Sequence, residues 1–475
     1  MKELKPDICV IGAGSGGLTV AAAAAAFGVK VVLVEKGAMG GDCLNFGCVP
    51  SKAIIAAAKH AHAIGEAPAF GVSAGAPKVD FGRVNRHVRN VIAAIAPNDS
   101  VERFTALGVT VVKAEARFAD PHTVEADGYR IRARRFVIAT GSAPFVPDIP
   151  GLAETGFLTN ETLFDRTTKP QHLIVIGGGP IGLEMAQAHR RLGAEVTVIE
   201  GDRVLAREDP ELASQIADCL RREGVTLIET ASVKRVERRG KTRIAVLCRK
   251  GDDEIVVRGS DILLATGRTP ALGGLDLAAA KIAFNEKGVK VGANLKTSNR
   301  RVFAIGDAVA GGLQFTHVAN YHAGLVVQQI LFRLPAREKR HLVPRVTYTD
   351  PEIAHVGLGE AEARRSHRRL SVLRWPVAEN DRAQAERRLD GEIKVIADRK
   401  GRILGASIMA PGAGEMIGAW TLAVTKRMTL GDMRAVIAPY PTIAEIGKRA
   451  AISYYAPMTR KPFVRRIVAF LRRFG

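Results

Sequence analysis

The sequence is poor in cysteine and in aromatic residues, and its apolar runs are short. Among 475 residues there are five cysteines, and Phe, Trp and Tyr together make up 5%. No secretory leader is expected, and five cysteines then indicate a reducing compartment, where a disulfide is more often catalytic than structural. The alanine-rich run from Val20 to Phe27 is too short to cross a bilayer, which needs about 20 apolar residues. The sequence therefore predicts a cytoplasmic globular protein.

Acidic residues are scarce relative to basic ones, with 48 Asp and Glu against 69 Lys and Arg and a formal net charge of +21. Such an excess favours acidic partners, but no motif with base-reading side chains accompanies it, so nucleic-acid binding is not expected. Residues 461–475 place apolar side chains at helical spacing with arginines between them. This pattern predicts a basic amphipathic segment. The segment either lies on the inner face of an anionic membrane or packs against the dimer.

Two of the cysteines, Cys43 and Cys48, stand close together in GGDCLNFGCVPSK, and the other three are scattered singly. A closed zinc site needs about four matched ligands, so no metal site is predicted. A helix beginning near Pro50 would direct its free N–H groups and its positive dipole end at Cys48, which favours the thiolate. The spacing therefore predicts a redox-active disulfide.

A glycine fingerprint occurs twice, each time after an apolar strand and before a helix. In both copies an acidic residue lies 23 positions after the first glycine. The glycines let the backbone approach a pyrophosphate at a helix N-terminus, and the carboxylate binds ribose hydroxyls. Two bound dinucleotides are therefore predicted. The residues are Gly12, Gly14, Gly17 and Glu35 in the first copy, and Gly177, Gly179, Gly182 and Glu200 in the second.

The position of the cysteine pair assigns the two copies. Because the pair directly follows the first copy, that copy is expected to bind a flavin, and the second copy is expected to bind the nicotinamide donor. Glu200 favours NADH, since a carboxylate bonds the free 2′-hydroxyl and repels the 2′-phosphate of NADPH. Arg203 and Arg207 could accommodate that phosphate, so NADPH remains an alternative donor. Glu200 could also be a solvated carboxylate at a strand end, with no role in binding.

With these motifs the chain resembles the FAD-dependent pyridine nucleotide–disulfide oxidoreductases (class I), and among them the mercuric reductase-like and dihydrolipoamide dehydrogenase-like proteins. The resemblance covers nearly the whole chain. Besides the two fingerprints and the cysteine motif, it rests on Ala139-Thr140-Gly141, on Ala265-Thr266-Gly267-Arg268-Thr269-Pro270, on RVFAIGDAV with Asp307, and on YTDPEIAHVGLGE.

The resemblance implies an α/β fold with two Rossmann-like dinucleotide-binding domains and a C-terminal α+β dimerisation domain. It also implies a homodimer whose active site is shared across the interface. The expected boundaries are 1–150 and 280–342 for the FAD domain, 151–279 for the NAD(P) domain, 343–460 for the dimerisation domain and 461–475 for the basic tail.

Roles for single residues also follow from the resemblance. Lys52 matches the family lysine near flavin N5, Glu184 matches its ion-pair partner, and Asp307 matches the residue that holds the ribityl chain of FAD. Without the resemblance, Lys52 could be a surface charge and Glu184 a helix-face residue. The two further motifs add Ala139, Thr140 and Gly141 to the FAD site, and Gly267 and Arg268 to the NAD(P) site.

The chain departs from the family near its C-terminus. Disulfide reductases carry a His-Pro-Thr-x-x-Glu motif there, but this chain has Tyr440 in place of the histidine, keeps Glu445, and has no histidine after His367. A phenol with an ordinary pKa of about 10 is a poor proton acceptor, which puts dihydrolipoamide and glutathione disulfide chemistry in doubt. Mercuric reductases also place a tyrosine there, but they add a C-terminal cysteine pair, whereas this chain has no cysteine after Cys248.

The sequence thus predicts an NAD(P)H-dependent FAD flavoprotein of the mercuric reductase-like type. Hydride would pass from NAD(P)H through FAD to the Cys43–Cys48 disulfide and on to a disulfide, a metal ion or another small acceptor. Cys48 is expected to face the flavin and Cys43 to exchange with the substrate. Three alternatives remain: a membrane-surface NADH:quinone-type reductase, a dihydrolipoamide dehydrogenase-like enzyme, and a non-catalytic flavin-binding interaction protein.

Overall fold

The computed structural model describes residues 1–73, 75–238, 240 and 244–474, so residues 74, 239, 241–243 and 475 of the predicted domains lie outside it. The described part forms two compact units. Unit 1 comprises Met1–Gly201 and Ile228–Glu338, and unit 2 comprises Asp202–Leu227 and the chain from Lys339 onward.

The strands of both units are numbered in chain order. The strands are β1 Lys2–Leu4, β2 Ile8–Ile11, β3 Val31–Val34, β4 Thr110–Val112, β5 Arg117–Asp120, β6 Thr123–Ala126, β7 Tyr129–Ile131, β8 Arg135–Ile138, β9 Ser142–Pro144, β10 His172–Ile176, β11 Glu195–Ile199, β12 Thr226–Ile228, β13 Ser232–Arg238, β14 Ile244–Lys250, β15 Asp253–Gly259, β16 Asp261–Leu264, β17 Arg268–Pro270, β18 Phe284–Asn285, β19 Gly288–Val289, β20 Val302–Ala304, β21 Arg345–Thr347, β22 Glu352–Gly357, β23 Leu370–Pro376, β24 Glu392–Asp398 and β25 Ile403–Ala410.

The helices cover the sheets and carry both predicted redox cysteines. They are α1 Ser15–Ala26, α2 Gly41–Asn45, α3 Cys48–Glu66, α4 Phe81–Ile95, α5 Val101–Ala106, α6 Leu152–Thr155, α7 Asn160–Leu163, α8 Pro180–Arg191, α9 Pro210–Arg222, α10 Thr316–Phe332, α11 Glu360–Ser366, α12 Asp381–Glu386, α13 Ala413–Thr425, α14 Leu430–Ala435, α15 Glu445–Ser453 and α16 Pro462–Leu471. No helix among these residues is long and apolar enough to cross a membrane.

Two parallel sheets organise unit 1. The larger has the strand order β20-β8-β2-β3-β4, with every neighbouring pair parallel. In the smaller, β10 pairs in parallel with β11 on one side and with β16 on the other. The strands β2 and β3 are buried along their whole length, as expected for a parallel sheet covered on both faces. This arrangement confirms the predicted α/β class.

The core of unit 1 lies on both faces of the larger sheet. On one face, α1 and α10 pack together over Val10, Leu33 and Phe303. On the other face, a cluster around Phe118 and Phe136 fills the space beneath the β1-β7-β6-β5 sheet. The alanines of α1 are small enough for this close helix packing, which explains the alanine-rich run in the sequence.

Unit 2 contains an antiparallel five-stranded sheet of order β21-β22-β25-β24-β23. Helices α13 and α15 pack against it and bury Trp420 and Ile446. The last helix, α16, carries exposed apolar side chains, including Phe463 at 72% and Phe470 at 56% exposure.

Candidate active site

The first glycine fingerprint forms a tight turn between β2 and α1. A Cβ at Gly12, where φ is +106°, would collide with the carbonyl oxygen of Ala139, and a Cβ at Gly17 would collide with that of Gly12. A Cβ at Gly14 would meet only the Cα of Gly41, at 4.0 Å, and Gly14 is the N-cap of α1, where no side chain caps the helix. The free N–H groups of α1 are therefore left for an anionic group such as a pyrophosphate.

The predicted ribose-binding carboxylate lies beside this turn. Glu35 accepts hydrogen bonds from the N–H groups of Ala13 and Gly37, each at 2.5 Å. Nearby, the hydroxyl of Thr140 is buried and has no hydrogen-bond partner among the described residues, as expected of a group that bonds a ligand. The glycine turn, the carboxylate and this orphaned hydroxyl fit an FAD site.

The second fingerprint repeats the same geometry between β10 and α8. A Cβ at Gly177 or Gly182 would collide with a backbone oxygen, of Ala265 or of Gly177 respectively, whereas Gly179 faces open space at the uncapped start of α8. The Glu200 carboxylate accepts from the N–H of Gly178 at 2.5 Å. These residues fit a second dinucleotide.

Arg203 is one of the two arginines that could accommodate the 2′-phosphate of NADPH, and its contacts bear on the preference for NADH. The guanidinium of Arg203 donates to the backbone oxygens of Ala206, at 2.8 Å, and Glu208, at 3.2 Å. Its donors are thus partly engaged with its own loop.

Cys43 and Cys48 lie at consecutive helices. Cys43 is in the short helix α2, and α3 begins at Cys48 itself, two residues before the predicted start near Pro50. The sulfur of Cys48 lies 3.2 Å from the hydroxyl of Thr316, the first residue of α10. Cys48 therefore occupies the N-terminal turn of α3, where the helix dipole favours a negative charge.

The pKa values of the two thiols are shifted in opposite directions. The pKa of Cys48 is lowered to about 6, chiefly because the Cys43 thiol donates to it, with help from the Thr316 hydroxyl and the charge of Lys52; burial and Asp42 oppose the shift. The pKa of Cys43 is raised well above its ordinary value by that same hydrogen bond and by burial. Cys48 is therefore the sulfur that ionises first.

An ion pair joins α3 to α8 near the cysteines. The ammonium of Lys52 lies 3.0 Å from the carboxylate of Glu184, whose side chain is only 5% exposed. Because an unpaired buried carboxylate is costly, Glu184 constrains the position of the lysine.

Arg268 lies among the predicted FAD residues, although the sequence grouped it with the NAD(P) motif. Its guanidinium donates to Ser142 at 2.7 and 2.8 Å and pairs with Asp42 at 3.1 Å. Ser142 in turn donates to Asp307 at 2.6 Å. Burial raises the pKa of Asp307, while Ser142 and Arg268 oppose that rise. The network links the residue before Cys43 to the predicted ribityl-binding aspartate.

Three residues of this site were not identified from the sequence. Asp42 and Ser142 each adjoin a recognised motif, and that adjacency was the available signal. Thr316 is 268 positions from Cys48 in the chain, and nothing in its local sequence marks it.

In unit 2, Tyr440 is paired with an aspartate and not with Glu445. Its hydroxyl donates to Asp381 at 2.7 Å, while Glu445 pairs with Arg449 at 2.9 Å. The hydrogen bond to Asp381 and the charge of that carboxylate raise the pKa of the exposed Tyr440 phenol above its ordinary value. Tyr440 is thus a still weaker acid than a free phenol.

Comparison with known proteins gives consistent matches over the chain. Residues 6–323 match the family "Pyridine nucleotide-disulphide oxidoreductase", and residues 343–451 match its dimerisation domain. The chain is 36% identical to a mercuric reductase of Streptomyces lividans over 467 residues, covering 96% of this chain and 97% of that one. It is 31% identical to a dihydrolipoyl dehydrogenase of Bacillus subtilis, covering 94% and 98%.

Among solved structures, the Cu(II) complex of the HOCl-induced flavoprotein disulfide reductase RclA from Escherichia coli matches with a TM-score of 0.83 at 28% identity. The match covers 93% of this chain and 98% of that one. These findings confirm the predicted fold class and the predicted cofactors FAD and NAD(P)H, and the dimerisation domain supports a homodimer. The chain therefore belongs to the pyridine nucleotide-disulphide oxidoreductase family and is an FAD-dependent, NAD(P)H-dependent oxidoreductase that acts on a sulfur group or a metal ion.

Proposed function

We propose that this enzyme passes the electrons of NAD(P)H preferentially to a thiophilic metal ion, and that Cys43 and Cys48 supply its redox disulfide. The observation that carries the proposal is the Tyr440 hydroxyl bonded to Asp381 at the position of the family histidine. The names of two relatives support it, because one is a mercuric reductase and the other was solved as a Cu(II) complex.

Metal ions and disulfides differ as electron acceptors in whether their reduction requires a proton. Reducing a disulfide releases a thiolate that must take up a proton, a step that a nearby acid–base group accelerates. The raised pKa of Tyr440 prevents this phenol from exchanging a proton readily near neutrality. A metal ion that accepts electrons needs no such proton, so its reduction tolerates the tyrosine.

The residues near the sulfurs have proposed roles in this reaction. A bound FAD would supply the acceptor for hydride from NAD(P)H and the two electrons that reduce the Cys43–Cys48 disulfide. Cys48 would then remain a thiolate, stabilised by Thr316 and Lys52, and Cys43 would take up the one proton that the hydride carries. Glu184 holds Lys52 in place.

For Cu(II) the electrons balance as follows. The dithiol loses two electrons and reforms the Cys43–Cys48 bond, two Cu(II) ions become two Cu(I) ions, and the thiol proton leaves to solvent. Hg(II) would instead take both electrons of one NAD(P)H as a single ion.

The experiment compares acceptors with the FAD-loaded enzyme. NADH oxidation is followed with Cu(II), Hg(II), lipoamide and glutathione disulfide, and Cu(I) is measured by a Cu(I)-specific chelator. We expect metal-dependent turnover to exceed turnover of either disulfide, and Cys43→Ser and Cys48→Ser to lose it. Faster turnover of lipoamide than of both metal ions would reject the proposal.

We further propose NADH as the preferred donor and a homodimer as the active form. The Glu200 carboxylate beside the second glycine turn favours a free 2′-hydroxyl, and the partly engaged Arg203 is a weak competitor for a 2′-phosphate. Completion of the active site across the dimer interface follows from the family resemblance.

A second candidate property concerns α16. This helix exposes Phe463, Val468 and Leu471 at 72%, 51% and 57%, and residues 456–475 contain six basic residues and no acidic one. We propose that the segment binds peripherally to anionic membranes, where the apolar side chains would be covered and the arginines would face lipid headgroups. We expect the protein to cosediment with phosphatidylglycerol vesicles but not with phosphatidylcholine vesicles. Deletion of residues 461–475 should abolish this binding. Equal binding of the deleted form would reject it, and quinone-dependent turnover on the vesicles would favour the quinone reductase alternative.

A further inference from the structure

A cavity of about 310 Å³ lies in unit 1 at the end of the larger sheet that is opposite to the glycine turn. Arg135, which lines it, is the first residue of β8, whereas Thr140 of the predicted FAD site follows the last residue of that strand. A four-residue strand spans roughly 13 Å, so the cavity and the FAD site are separate.

Cationic side chains dominate the lining of this cavity. Arg135, Lys296 and Arg333 contribute to it, together with Asn294, Gln329, Phe303 and the apolar segment 334–336, and no acidic residue does. Lys296 lies over the Phe303 ring, 5.7 Å from its centroid. The cavity therefore concentrates positive charge in a space large enough for a small molecule.

Within the described chain, the cations here have no carboxylate partners. Arg135 bonds only the backbone oxygen of Arg134, and neither Lys296 nor Arg333 forms an ion pair. Burial lowers the pKa of Arg135, and the neighbouring charges of Arg134, Arg333 and Arg301 lower it further. The cations thus repel one another in the free protein, and a bound anion would remove that repulsion.

The negative dipole end of α10 offsets only part of the positive charge of these three cations. Gln329 belongs to its last turn, and Arg333 is its C-cap, so the helix carbonyls face the same region. A helix C-terminus carries about half a negative charge, which is too little to balance three cations. The side-chain amide nitrogen of Asn294 makes no hydrogen bond within the described residues and adds a neutral donor, while its side-chain oxygen accepts from the backbone N–H of Lys296 at 3.2 Å.

We propose that this cavity is a binding site for a compact anion that carries phosphate groups. Guanidinium groups match phosphate oxygens with paired donors, and the ammonium of Lys296 adds a point charge. Phosphate is favoured over a carboxylate because several oxygens of one small group can meet Arg135, Lys296 and Arg333 together.

The test is calorimetric titration of inorganic pyrophosphate into the FAD-loaded protein saturated with NAD⁺, which occupies the second glycine turn. We expect one pyrophosphate per chain, with affinity that falls as salt rises. Arg135→Gln and Arg333→Gln should each weaken binding by about tenfold, since each removes a charge-assisted hydrogen bond.

Arg86→Gln is the matched control, because Arg86 is an exposed arginine on α4 with no ion pair in the described chain and the same charge is lost. The control should bind as the unmodified protein does. Equal weakening in Arg86→Gln would show a general effect of net charge, and loss of all binding once NAD⁺ is saturating would place the pyrophosphate at the dinucleotide turn. Either result would overturn the proposal, as would citrate binding as tightly as pyrophosphate.

Discussion

Replacing Thr316 by valine should raise the pKa of Cys48 and leave the fold intact. The hydroxyl of Thr316 lies 3.2 Å from the Cys48 sulfur and is among the groups that lower the pKa of that thiol to about 6. Valine keeps the shape of threonine but cannot donate a hydrogen bond. The thiolate would then lose one of its stabilising donors, while the donor from Cys43 would remain.

The size of the effect follows from the strength of such a bond. A hydrogen bond to a charged group contributes about 1.5–3 kcal/mol, and one pKa unit corresponds to about 1.4 kcal/mol. Because Cys48 is partly open to solvent, the lower end applies, and we expect a rise of about one unit. The sign is upward, since the variant destabilises the charged form.

The assay uses the long-wavelength absorption that a thiolate gives when it lies against oxidised FAD. The enzyme is reduced by two electrons and the band is titrated with pH, with an expected midpoint near 6 for the unmodified protein and near 7 for Thr316→Val. Thr421→Val is the control, because among the described residues the Thr421 hydroxyl bonds only the carbonyl oxygen of Ile417 in its own helix. No difference between the two proteins would refute the role of Thr316, and an unmodified midpoint above 8 would refute the lowered pKa of Cys48.

Three further predictions concern the proposed roles. Cys43→Ser should keep the long-wavelength band and Cys48→Ser should lose it, and the opposite pattern would exchange the roles of the two sulfurs. NADH should reduce the flavin with a higher kcat/KM than NADPH, and Glu200→Gln should narrow the difference; a preference of the unmodified protein for NADPH would contradict the argument from that carboxylate. Tyr440→His should raise turnover of lipoamide or glutathione disulfide, by up to about 10²–10⁴-fold, without changing the rate of flavin reduction by NADH. Rapid disulfide turnover in the unmodified enzyme, unchanged by that substitution, would show that another group carries the proton.

The dinucleotide turns could be predicted because their chemistry is local. Gly12 and Gly17 are required because a Cβ at either position would collide with a backbone oxygen, of Ala139 or of Gly12 respectively. Gly14 lies at the uncapped start of α1. Such constraints recur wherever a backbone must approach a pyrophosphate, so they leave a readable spacing in the sequence. The proximity of Cys43 and Cys48 is likewise local, because only four residues separate them.

The partners of the functional groups were harder to predict, because they come from distant parts of the chain. Arg268 was grouped with the NAD(P) motif by its neighbours in sequence, but its guanidinium lies against Ser142 and Asp42. A long side chain can reach either side of its strand, and only packing decides which. The hydrogen bond from Tyr440 to Asp381, 59 positions away, is likewise absent from any local pattern.

The sequence by itself determined the class of chemistry, since paired cysteines beside a flavin fingerprint and a second dinucleotide turn depend on short-range spacing and backbone sterics. Only the tertiary structure decided which groups tune that chemistry. The contribution of Thr316 to the low pKa of Cys48, the raised pKa of Tyr440 and the cationic cavity around Arg135 all arise where distant residues are brought within a few ångströms. Electrostatic and hydrogen-bond energies depend on that distance and on burial, and local sequence patterns specify neither quantity.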